Sequence, residues 1–477
     1  MRKFIALVGL GPHAMRIYYP YIEGIVGRDE EATFDLLIDL EMNREKIEAF
    51  LHTKQVKPGK IIFLNQDEQI NPKQVHPSVA EAFRELNINR VIVATEPKAH
   101  KVYLEECIRQ GIPAITDKPI TAPVNLISSI SAAEEIYDDV AQLAARVQER
   151  PNARILVQCQ RRNHEGYKKV FEVAEAVVKE YGIPITYISV HHSDGMWNMP
   201  DELFYRENHP YKYGYGKLMH SGYHFIDLLS TLLRLNNQLE AKKPDSIALF
   251  SEYSRAIDQQ SVIANSEYSR FFGKDIADRF ENFSKNDALA DFGEVDSFTQ
   301  LQLMKDERII TTAQLSLMQS GFSQRAWPDL PADAYKSNGR IRHEYVNIHI
   351  GPLMSIQVHS YQSKQIGEQS ISSYEAGGNN HFDIYIFRNS NLIGGEAFEK
   401  IEYGSDDLMK THESNYLGHN EYARFKLLDE LMYNLPSNSE IADHIATNKL
   451  LSEIYKNHSR QTNGDVPYSK ISTKEIL

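Results

Sequence analysis

The sequence has few cysteines and no long apolar run. Cys107 and Cys159 are the two cysteines among 477 residues. They are too few for an extracellular disulfide framework, so we expect a reducing, cytoplasmic setting. The apolar run from Phe4 to Leu10 is shorter than a signal sequence and ends in a glycine turn. No stretch reaches the roughly 18 apolar residues of a membrane helix. We therefore expect neither a targeting segment nor a membrane span.

The sequence also lacks an excess of positive charge. Lys and Arg number 52 against 65 Asp and Glu, which gives a net charge of −13 at pH 7. Because such a chain repels a polyanion, we expect no nucleic-acid partner. Hydrophobic residues make up 42% and charged residues 25%, which is ordinary for a folded globular protein. The length predicts about two or three domains.

The first third of the chain alternates short β-rich runs with longer helical patterns, which is typical of βαβ units and a parallel sheet. The predicted strands are 4–8, 34–39, 60–64, 90–94, 113–116 and 155–160, and the predicted helices are 43–51, 76–86 and 100–110. The pattern predicts an α/β fold that begins with a Rossmann domain over residues 1–161.

From about residue 162 the pattern changes. The predicted elements are helices at 165–181, 218–235, 421–432 and 440–456, a strand at 185–191, and runs with a period of two at 342–350, 354–361 and 382–387. Alternation of this kind is typical of an antiparallel sheet. Residues 251–295 are polar and acid-rich, which predicts a surface insertion. We therefore expect a C-terminal α/β domain over residues 162–477 with a large, mostly antiparallel open sheet.

The turn after the first strand carries a dinucleotide fingerprint. Gly9-Leu10-Gly11-Pro12-His13-Ala14 matches G-x-G-x-x-A between a strand and a helix. Gly9 permits the tight turn, and Gly11 lets the backbone approach a pyrophosphate. Ala14 lets the helix pack closely on the strand.

Two residues near the second strand bear on the choice of cofactor. Asp39 ends that strand, where a carboxylate accepts the ribose hydroxyls and repels the 2′-phosphate of NADP. Arg44 lies nearby and would reverse that preference if its side chain folds back. The sequence therefore predicts NAD, with NADP as the alternative.

Two further motifs carry chemistry. The first is the run 94–100 followed by Thr116-Asp117-Lys118-Pro119, in which Pro119 restricts the backbone of Lys118 to an extended geometry and aims its amine. The second is a polar stripe on the apolar helix, formed by His220, His224, Asp227 and Thr231. Polar groups beside so much apolar surface are costly unless paired, so we expect the stripe to face a polar pocket.

Interpretations of these residues other than catalysis stay open at this point. Lys118 could be a solvated surface lysine, and the histidines could be hydrogen-bonded for structure only. His220 and His224 also have the spacing of zinc ligands, with Asp227 or the His191-His192 pair as further donors. Because no third ligand stands out, we predict no metal site.

Together these motifs resemble the GFO/IDH/MocA family, named after glucose-fructose oxidoreductase and inositol dehydrogenase. The family carries a run similar to 94–100 and a Glu-Lys-Pro motif, in which Asp117 here replaces the Glu. Its later helix reads Asp-x-Gly-x-His-x-x-Asp, which Gly222, His224 and Asp227 match. The helix departs from the family at His220, which stands in place of the first Asp, and at Lys217, which replaces a glycine. The resemblance covers about the first half of the chain.

The resemblance implies an NAD(P)-dependent dehydrogenase acting on a CH–OH group of a sugar, cyclitol or similar polyol. His224 would take the proton as general base while Lys118 stabilises the alkoxide, and His220 would join them as a catalytic residue. The implied cofactor contacts are Gly9, Gly11, Pro12, His13, Ala14, Asp39, Thr95, Pro97, His100, Asp117 and Lys118. The implied substrate contacts are Lys118, Arg162, His220 and His224.

The departure at His220 supports a second hypothesis, because a fold does not guarantee its usual chemistry. In that case the protein is a catalytically inactive dinucleotide-binding regulatory or structural protein. The tyrosine-rich loop at 205–215 suits a polyol or an interface, and we expect a homo-oligomer formed through the C-terminal sheet.

Overall fold

A computed structural model describes residues 2–65, 74–206, 209–284, 286–321, 340–364, 381–404 and 419–475. The chain forms two compact units. The first comprises Met1–Ala122, Asp138–Asn163 and Asn420–Ile445, and the second comprises Pro123–Tyr137, His164–His419 and Ala446–Leu477.

The described residues form strands and helices along the whole chain. In chain order the strands are β1 (Lys3–Val8), β2 (Ala32–Leu40), β3 (Lys60–Leu64), β4 (Arg90–Val93), β5 (Ala114–Asp117), β6 (Ile155–Gln158), β7 (Ile185–Ser193), β8 (Ser246–Arg255), β9 (Glu294–Lys305), β10 (Arg308–Met318), β11 (Arg340–Ile350), β12 (Met354–Lys364), β13 (His381–Arg388), β14 (Phe398–Tyr403) and β15 (Tyr468–Ser472). The α-helices are α1 (Pro12–Arg16), α2 (Tyr18–Arg28), α3 (Arg44–His52), α4 (Pro77–Glu85), α5 (Pro97–Gln110), α6 (Ile130–Glu149), α7 (Glu165–Tyr181), α8 (Pro200–Tyr205), α9 (Tyr223–Arg234), α10 (Ala256–Ser261), α11 (Asn265–Phe272), α12 (Lys274–Ser284), α13 (Ser390–Ile393), α14 (His419–Met432) and α15 (Ile445–Thr462).

The first unit is built on a parallel sheet with the strand order β3-β2-β1-β4-β5-β6. This is the order of a Rossmann fold, so the prediction of that fold is confirmed. The strands are apolar along most of their length because both faces of a parallel sheet are covered. Helix α5 ends at Gly111, which adopts the left-handed conformation with φ of 70° that favours glycine at this position.

The predicted boundary near residue 161 differs from the observed division, because a late segment returns to the first unit. Val157 at β6 donates its N–H to the Ser439 carbonyl at 2.9 Å, and Ile441 packs into the apolar core of the first unit. Tyr21 of α2 donates to Asp429 of α14 at 2.6 Å. Residues 420–445 therefore complete the first unit.

The second unit contains a sheet with the order β14-β13-β12-β11-β7-β10-β9-β8-β15. The pair β7 and β10 is parallel and the other neighbours are antiparallel, which confirms a mostly antiparallel sheet. Along β11, Val346, Ile348 and Ile350 are fully buried and alternate with half-buried positions. This alternation is the period of two that the sequence shows.

The prediction of a surface insertion at 251–295 is wrong at both of its ends. Residues 251–255 belong to β8 and residues 294–295 belong to β9, and these two strands pair along the length of β8. Polar residues such as Ser251 and Glu294 are buried there, so the acid-rich composition hides the strand pattern. Helices α10, α11 and α12 occupy the middle of the segment. No described helix combines the length and the apolar composition that a membrane crossing requires.

Candidate functional site

The glycine turn lies at the end of β1 in the first unit. Gly9 has a φ of 89°, and a Cβ there would lie 2.8 Å from the Ala94 carbonyl oxygen. Glycine is thus required by both the backbone conformation and the packing of β1 against β4. A Cβ at Gly11 would meet nothing within 4 Å, so the surface beside it is open. Pro12 then begins α1, and Ala14 is buried beneath it.

Asp39 at the end of β2 braces this turn. Its Oδ2 accepts the Leu10 N–H at 2.6 Å, and its Oδ1 accepts the Leu40 N–H and the Asn43 amide, both at 2.7 Å. A carboxylate has about four acceptor positions, so roughly one is left for a ligand. Asp39 therefore positions the turn, and a ribose would find room for one hydrogen bond rather than two.

Arg44, the residue that would favour NADP, is held elsewhere. Its guanidinium donates to Glu41 at 2.6 and 2.7 Å and stacks over Phe63 at 4.2 Å. A 2′-phosphate would have to compete with Glu41 for this group. The local charges therefore favour the nonphosphorylated cofactor.

The Asp117-Lys118 motif follows β5 at the same edge of the sheet as the glycine turn. Tyr18 of α2 donates its hydroxyl to Asp117, and the His13 ring packs edge-on against Tyr18. His13 Nε2 lies 3.8 Å from Asp117 Oδ1. Desolvation lowers the pKa of His13, and the Asp117 carboxylate opposes that shift. The structure thus brings together two predicted cofactor residues, His13 and Asp117, beside Lys118.

His100 positions the two loops of this edge. It is fully buried, and its ring nitrogens lie 2.9 Å from the Pro119 carbonyl oxygen and 3.0 Å from the Thr95 carbonyl oxygen. Pro97 begins α5 between these loops. Because the His100 ring is enclosed by backbone, its described contacts hold Thr95 and Pro119 together rather than facing a ligand.

Arg162, predicted as a substrate contact, forms hydrogen bonds with the returning segment of the first unit. Its guanidinium donates to the Asn438 carbonyl and, at 2.9 Å, to the Asp443 carbonyl. The neighbouring Arg161 donates to Asn420 at 3.2 Å. Both arginines are buried, and the described contacts of Arg162 are structural, while its assignment to the substrate stays a prediction.

In the second unit, the predicted helix 218–235 is not one continuous α-helix. Residues 218–222 form a π-helical turn, in which Gly222 donates its N–H to the Lys217 carbonyl at 2.9 Å, and α9 begins at Tyr223. His220 has a nonhelical ψ of −105°. A Cβ at Gly222 would lie 2.6 Å from the Lys217 carbonyl oxygen, so glycine permits the turn. The prediction that His220 and His224 share one face of a continuous helix is therefore wrong, because the backbone is kinked at His220.

His220 faces the tyrosine-rich loop. Its Nε2 lies 3.1 Å from the Pro210 carbonyl oxygen, and its ring stacks on His209 at 4.8 Å and meets Tyr211 edge-on at 5.1 Å. His224 is the second residue of α9 and is 5% exposed. Asp227 accepts the Thr447 hydroxyl at 2.8 Å, and its own carbonyl accepts the Thr231 hydroxyl. The stripe thus has separate partners along its length.

A buried cluster around Lys217 was missed by sequence reasoning. Lys217 Nζ, fully buried, lies 2.7 Å from Asp194 Oδ2, 2.9 Å from Ser221 Oγ and 3.0 Å from His192 Nδ1. Arg342 of β11 donates to the other Asp194 oxygen at 3.0 Å. Burial lowers the pKa of Lys217 to about 8, although Asp194 opposes the shift. The feature of the sequence that could have indicated this cluster is a lysine next to an apolar helix.

Glu294 clamps the same π-helical segment from β9. Its carboxylate accepts the Leu218 N–H and the Tyr455 hydroxyl, each at 2.8 Å, and its carbonyl accepts the Lys217 N–H at 2.9 Å. Burial raises the pKa of Glu294 to about 7. The π-helical segment before α9 is therefore held in place by a buried lysine, Lys217, and a buried glutamate, Glu294. Among the described residues no group of three His, Cys, Asp or Glu side chains is arranged to hold a metal ion.

Solved structures with the same architecture span the whole chain. An aldose-aldose oxidoreductase from Caulobacter crescentus, in complex with glycerol, is 12% identical over 99% of this chain and 100% of its own, with a TM-score of 0.54. An oxidoreductase from Agrobacterium radiobacter, in complex with NAD+, L-tartaric acid and magnesium, is 13% identical over 100% of both chains, with a TM-score of 0.55. The transcriptional regulator Gal80p from Kluyveromyces lactis is 11% identical over 100% of this chain and 95% of its own, also with a TM-score of 0.55.

The chain has the GFO/IDH/MocA fold. No protein-family model matches the sequence, and no curated protein matches it. Within this fold the chain departs from the sequence pattern of the family at His220 and Lys217, and both residues are buried with polar partners. His220 and Lys217 thus each have polar partners within this chain.

The first unit also fits the dinucleotide that the GFO/IDH/MocA fold implies. The open surface at Gly11, the braced turn at Gly9 and the Asp117-Lys118 motif lie at the carboxyl edge of one parallel sheet. In open α/β sheets ligands bind at that edge. The residues that would hold the cofactor are therefore present at one edge of this sheet.

Proposed function

We propose that the protein is an NAD-dependent oxidoreductase acting on a secondary alcohol or ketone of a sugar, cyclitol or similar polyol. One observation carries the proposal: a glycine turn with an open surface at Gly11 shares a sheet edge with Lys118, two strands away. A lysine beside a dinucleotide edge can supply a charge to a reacting oxygen.

The residues of the chain divide the work in this proposal. Lys118 donates a hydrogen bond to the substrate oxygen and stabilises the negative charge that develops on it. His224 accepts the hydroxyl proton in the direction of oxidation. When bound, NAD supplies the hydride acceptor. Asp39 and His100 act as positioning residues, since they hold the loops that bear the binding groups.

The test is direct. We expect calorimetry of the purified protein to give tighter binding of NAD than of NADP, and a panel of inositols, aldoses and sugar acids to yield NADH, followed by absorbance. The proposal is wrong if the protein binds neither dinucleotide. If the protein binds NAD but turns over no polyol, the proposed reaction is wrong and the proposed cofactor is right.

A second candidate is a dinucleotide-binding protein without catalysis. The observation in its favour is that His220, in the position of a family carboxylate, is engaged with the Pro210 carbonyl. The fold is also that of a transcriptional regulator. This candidate predicts NAD binding with no turnover, and the same panel distinguishes the two.

A further inference from the structure

Arg424 of α14 is a mostly buried cation in the first unit. Its side chain is 14% exposed, and within the described residues its ion-pair partner is Glu421, at 3.7 Å. That separation is longer than a hydrogen bond. A guanidinium carries five N–H donors, and burying its charge is costly unless the donors are satisfied. The arrangement leaves donors available to an anion from outside the chain.

The fold places Arg424 next to the Asp117-Lys118 motif. Gln158, the last residue of β6, pairs in register with Asp117 of β5, and its amide donates to the Arg424 carbonyl at 3.4 Å. Burial raises the pKa of Tyr18 and lowers that of His13, both of which adjoin Asp117; the Arg424 charge opposes the first shift and adds to the second. The Gln158 contact and the effect of the Arg424 charge on these two pKa values therefore both place Arg424 near Asp117.

Cations outnumber anions at this edge. Among the described residues, the cations Arg424, Arg16 and Lys118 face His13 against the carboxylate of Asp117, and Glu421 pairs with Arg424. An excess of positive charge in a partly buried position favours an anionic ligand. Because arginine keeps its proton in proteins, this preference persists across the physiological pH range.

The cofactor's pyrophosphate is not the best occupant. The glycine turn follows β1, whereas Gln158 ends β6, which is three strands away in the sheet. Neighbouring strands lie about 4.8 Å apart, so β6 lies roughly 14 Å from β1. Through its contact with Gln158, the backbone of Arg424 thus lies on the β6 side of the Lys118 motif, and we place the substrate there.

We propose that Arg424 binds an anionic group of the substrate, a carboxylate or a phosphate, so that the substrate is an acidic derivative of a sugar or polyol. The inference rests on the proposed function. A guanidinium forms two parallel hydrogen bonds with such a group, which fixes its orientation as well as its charge. Arg424 is then a specificity-determining residue.

The experiment uses the full chain saturated with NAD and matched compounds: glucose, glucuronate and glucose 6-phosphate, with inositol and inositol phosphate as a second set. Each is titrated by calorimetry and assayed for NADH formation. We expect the anionic members to bind and react at least tenfold better than the neutral ones. Arg424→Met should lose that preference and keep its NAD affinity within twofold, and Arg424→Lys should retain part of it. Arg146→Met, at an exposed arginine paired with Glu105, is the control.

The outcomes separate this inference from the proposed function. Turnover that favours neutral compounds overturns the role of Arg424 and keeps the oxidoreductase. A loss of NAD affinity in folded Arg424→Met assigns the residue to the cofactor and also overturns the inference. Binding of anionic compounds without turnover, abolished in Arg424→Met, supports Arg424 and rejects the chemistry. If no anionic compound binds, the inference is wrong.

Discussion

Lys217 Nζ lies 2.7 Å from Asp194 Oδ2 in the interior of the second unit, directly before the π-helical turn that leads to His224. Neither group reaches solvent to any extent, with 0% and 6% of the side chains exposed. Burial of an ion pair costs desolvation energy that the mutual attraction only partly restores. The contribution of this ion pair to the free energy of unfolding therefore depends on pH.

The first prediction concerns that pH dependence. The pKa of Lys217 is about 8 in the folded protein against 10.5 for an ordinary lysine, so the unfolded chain binds more protons between these values. The free energy of unfolding should therefore rise with pH across this window, by up to about 3 kcal/mol from this group. Lys217→Met lacks the contribution, so the difference between wild type and variant should grow from pH 7.5 to 10.

Urea unfolding followed by tryptophan fluorescence measures this difference. Both tryptophans, at positions 197 and 327, fall within the segment His164–His419 of the second unit. Lys179→Met, at an exposed lysine paired with Glu175, is the control and should show no such trend. A constant difference between wild type and Lys217→Met over the window would contradict the prediction.

The second prediction has the opposite sign. The pKa of Glu294 is raised by burial from 4.5 to about 7, so the folded protein binds more protons than the unfolded chain between these values. Its contribution to stability should be largest below pH 4.5 and lost as pH rises to 7, by up to about 3 kcal/mol. In Glu294→Gln this loss should vanish, as measured by urea unfolding at pH 5 and pH 7.5. Glu307→Gln, exposed beside Lys470, should behave like wild type.

The third prediction tests Lys118. Lys118→Met should lower turnover by roughly a hundredfold or more, the usual scale for a group that stabilises charge in the transition state. NAD affinity should change little, as measured by calorimetry. Lys98→Met, at a lysine paired with Glu96 on the preceding loop, is the matched control. Wild-type turnover in Lys118→Met would remove the lysine from the mechanism.

The fourth prediction concerns Asp39. Asp39→Asn keeps the size of the side chain but places an amide donor against the N–H groups of Leu10 and Leu40. We expect NAD affinity to fall by about tenfold and the preference over NADP to narrow, since one or more charged hydrogen bonds are lost. Asp35→Asn is the control. Asp35 lies on β2 like Asp39, but its carboxylate accepts the N–H of Ile5, away from the glycine turn. Equal effects in both variants would show a purely structural role.

The fifth prediction concerns His220. The family pattern alone suggests that His220→Asp restores activity, but the structure gives His220 a carbonyl partner at Pro210 that needs a donor. An aspartate would place a carboxylate against that carbonyl oxygen. His220→Gln should therefore retain more activity than His220→Asp, and His224→Ala should abolish turnover. A fully active His220→Asp enzyme would show that the Pro210 contact is dispensable.

The sequence predicts the first unit best, because its strands are buried on both faces and its turns depend on glycine. Elements such as β3 and α7 agree with the prediction residue for residue. The Lys217 cluster could not be predicted, since its partners come from the end of β7 and from β11. The described partners of Arg162 could not be predicted either, because these carbonyl groups lie more than 270 residues away in the sequence. A helical period in the sequence does not reveal the kink at His220.

The return of residues 420–445 to the first unit has a consequence for synthesis of the protein. The glycine turn and the sheet emerge early from the ribosome, but the pocket that receives Ile441 stays uncovered until the C-terminal segment is made. At about 10 residues per second that delay lasts roughly half a minute. We expect the nascent N-terminal part to need a chaperone during this interval. For the same reason, a chain that stops before Asn420 should not form a stable first unit, although the glycine turn is intact.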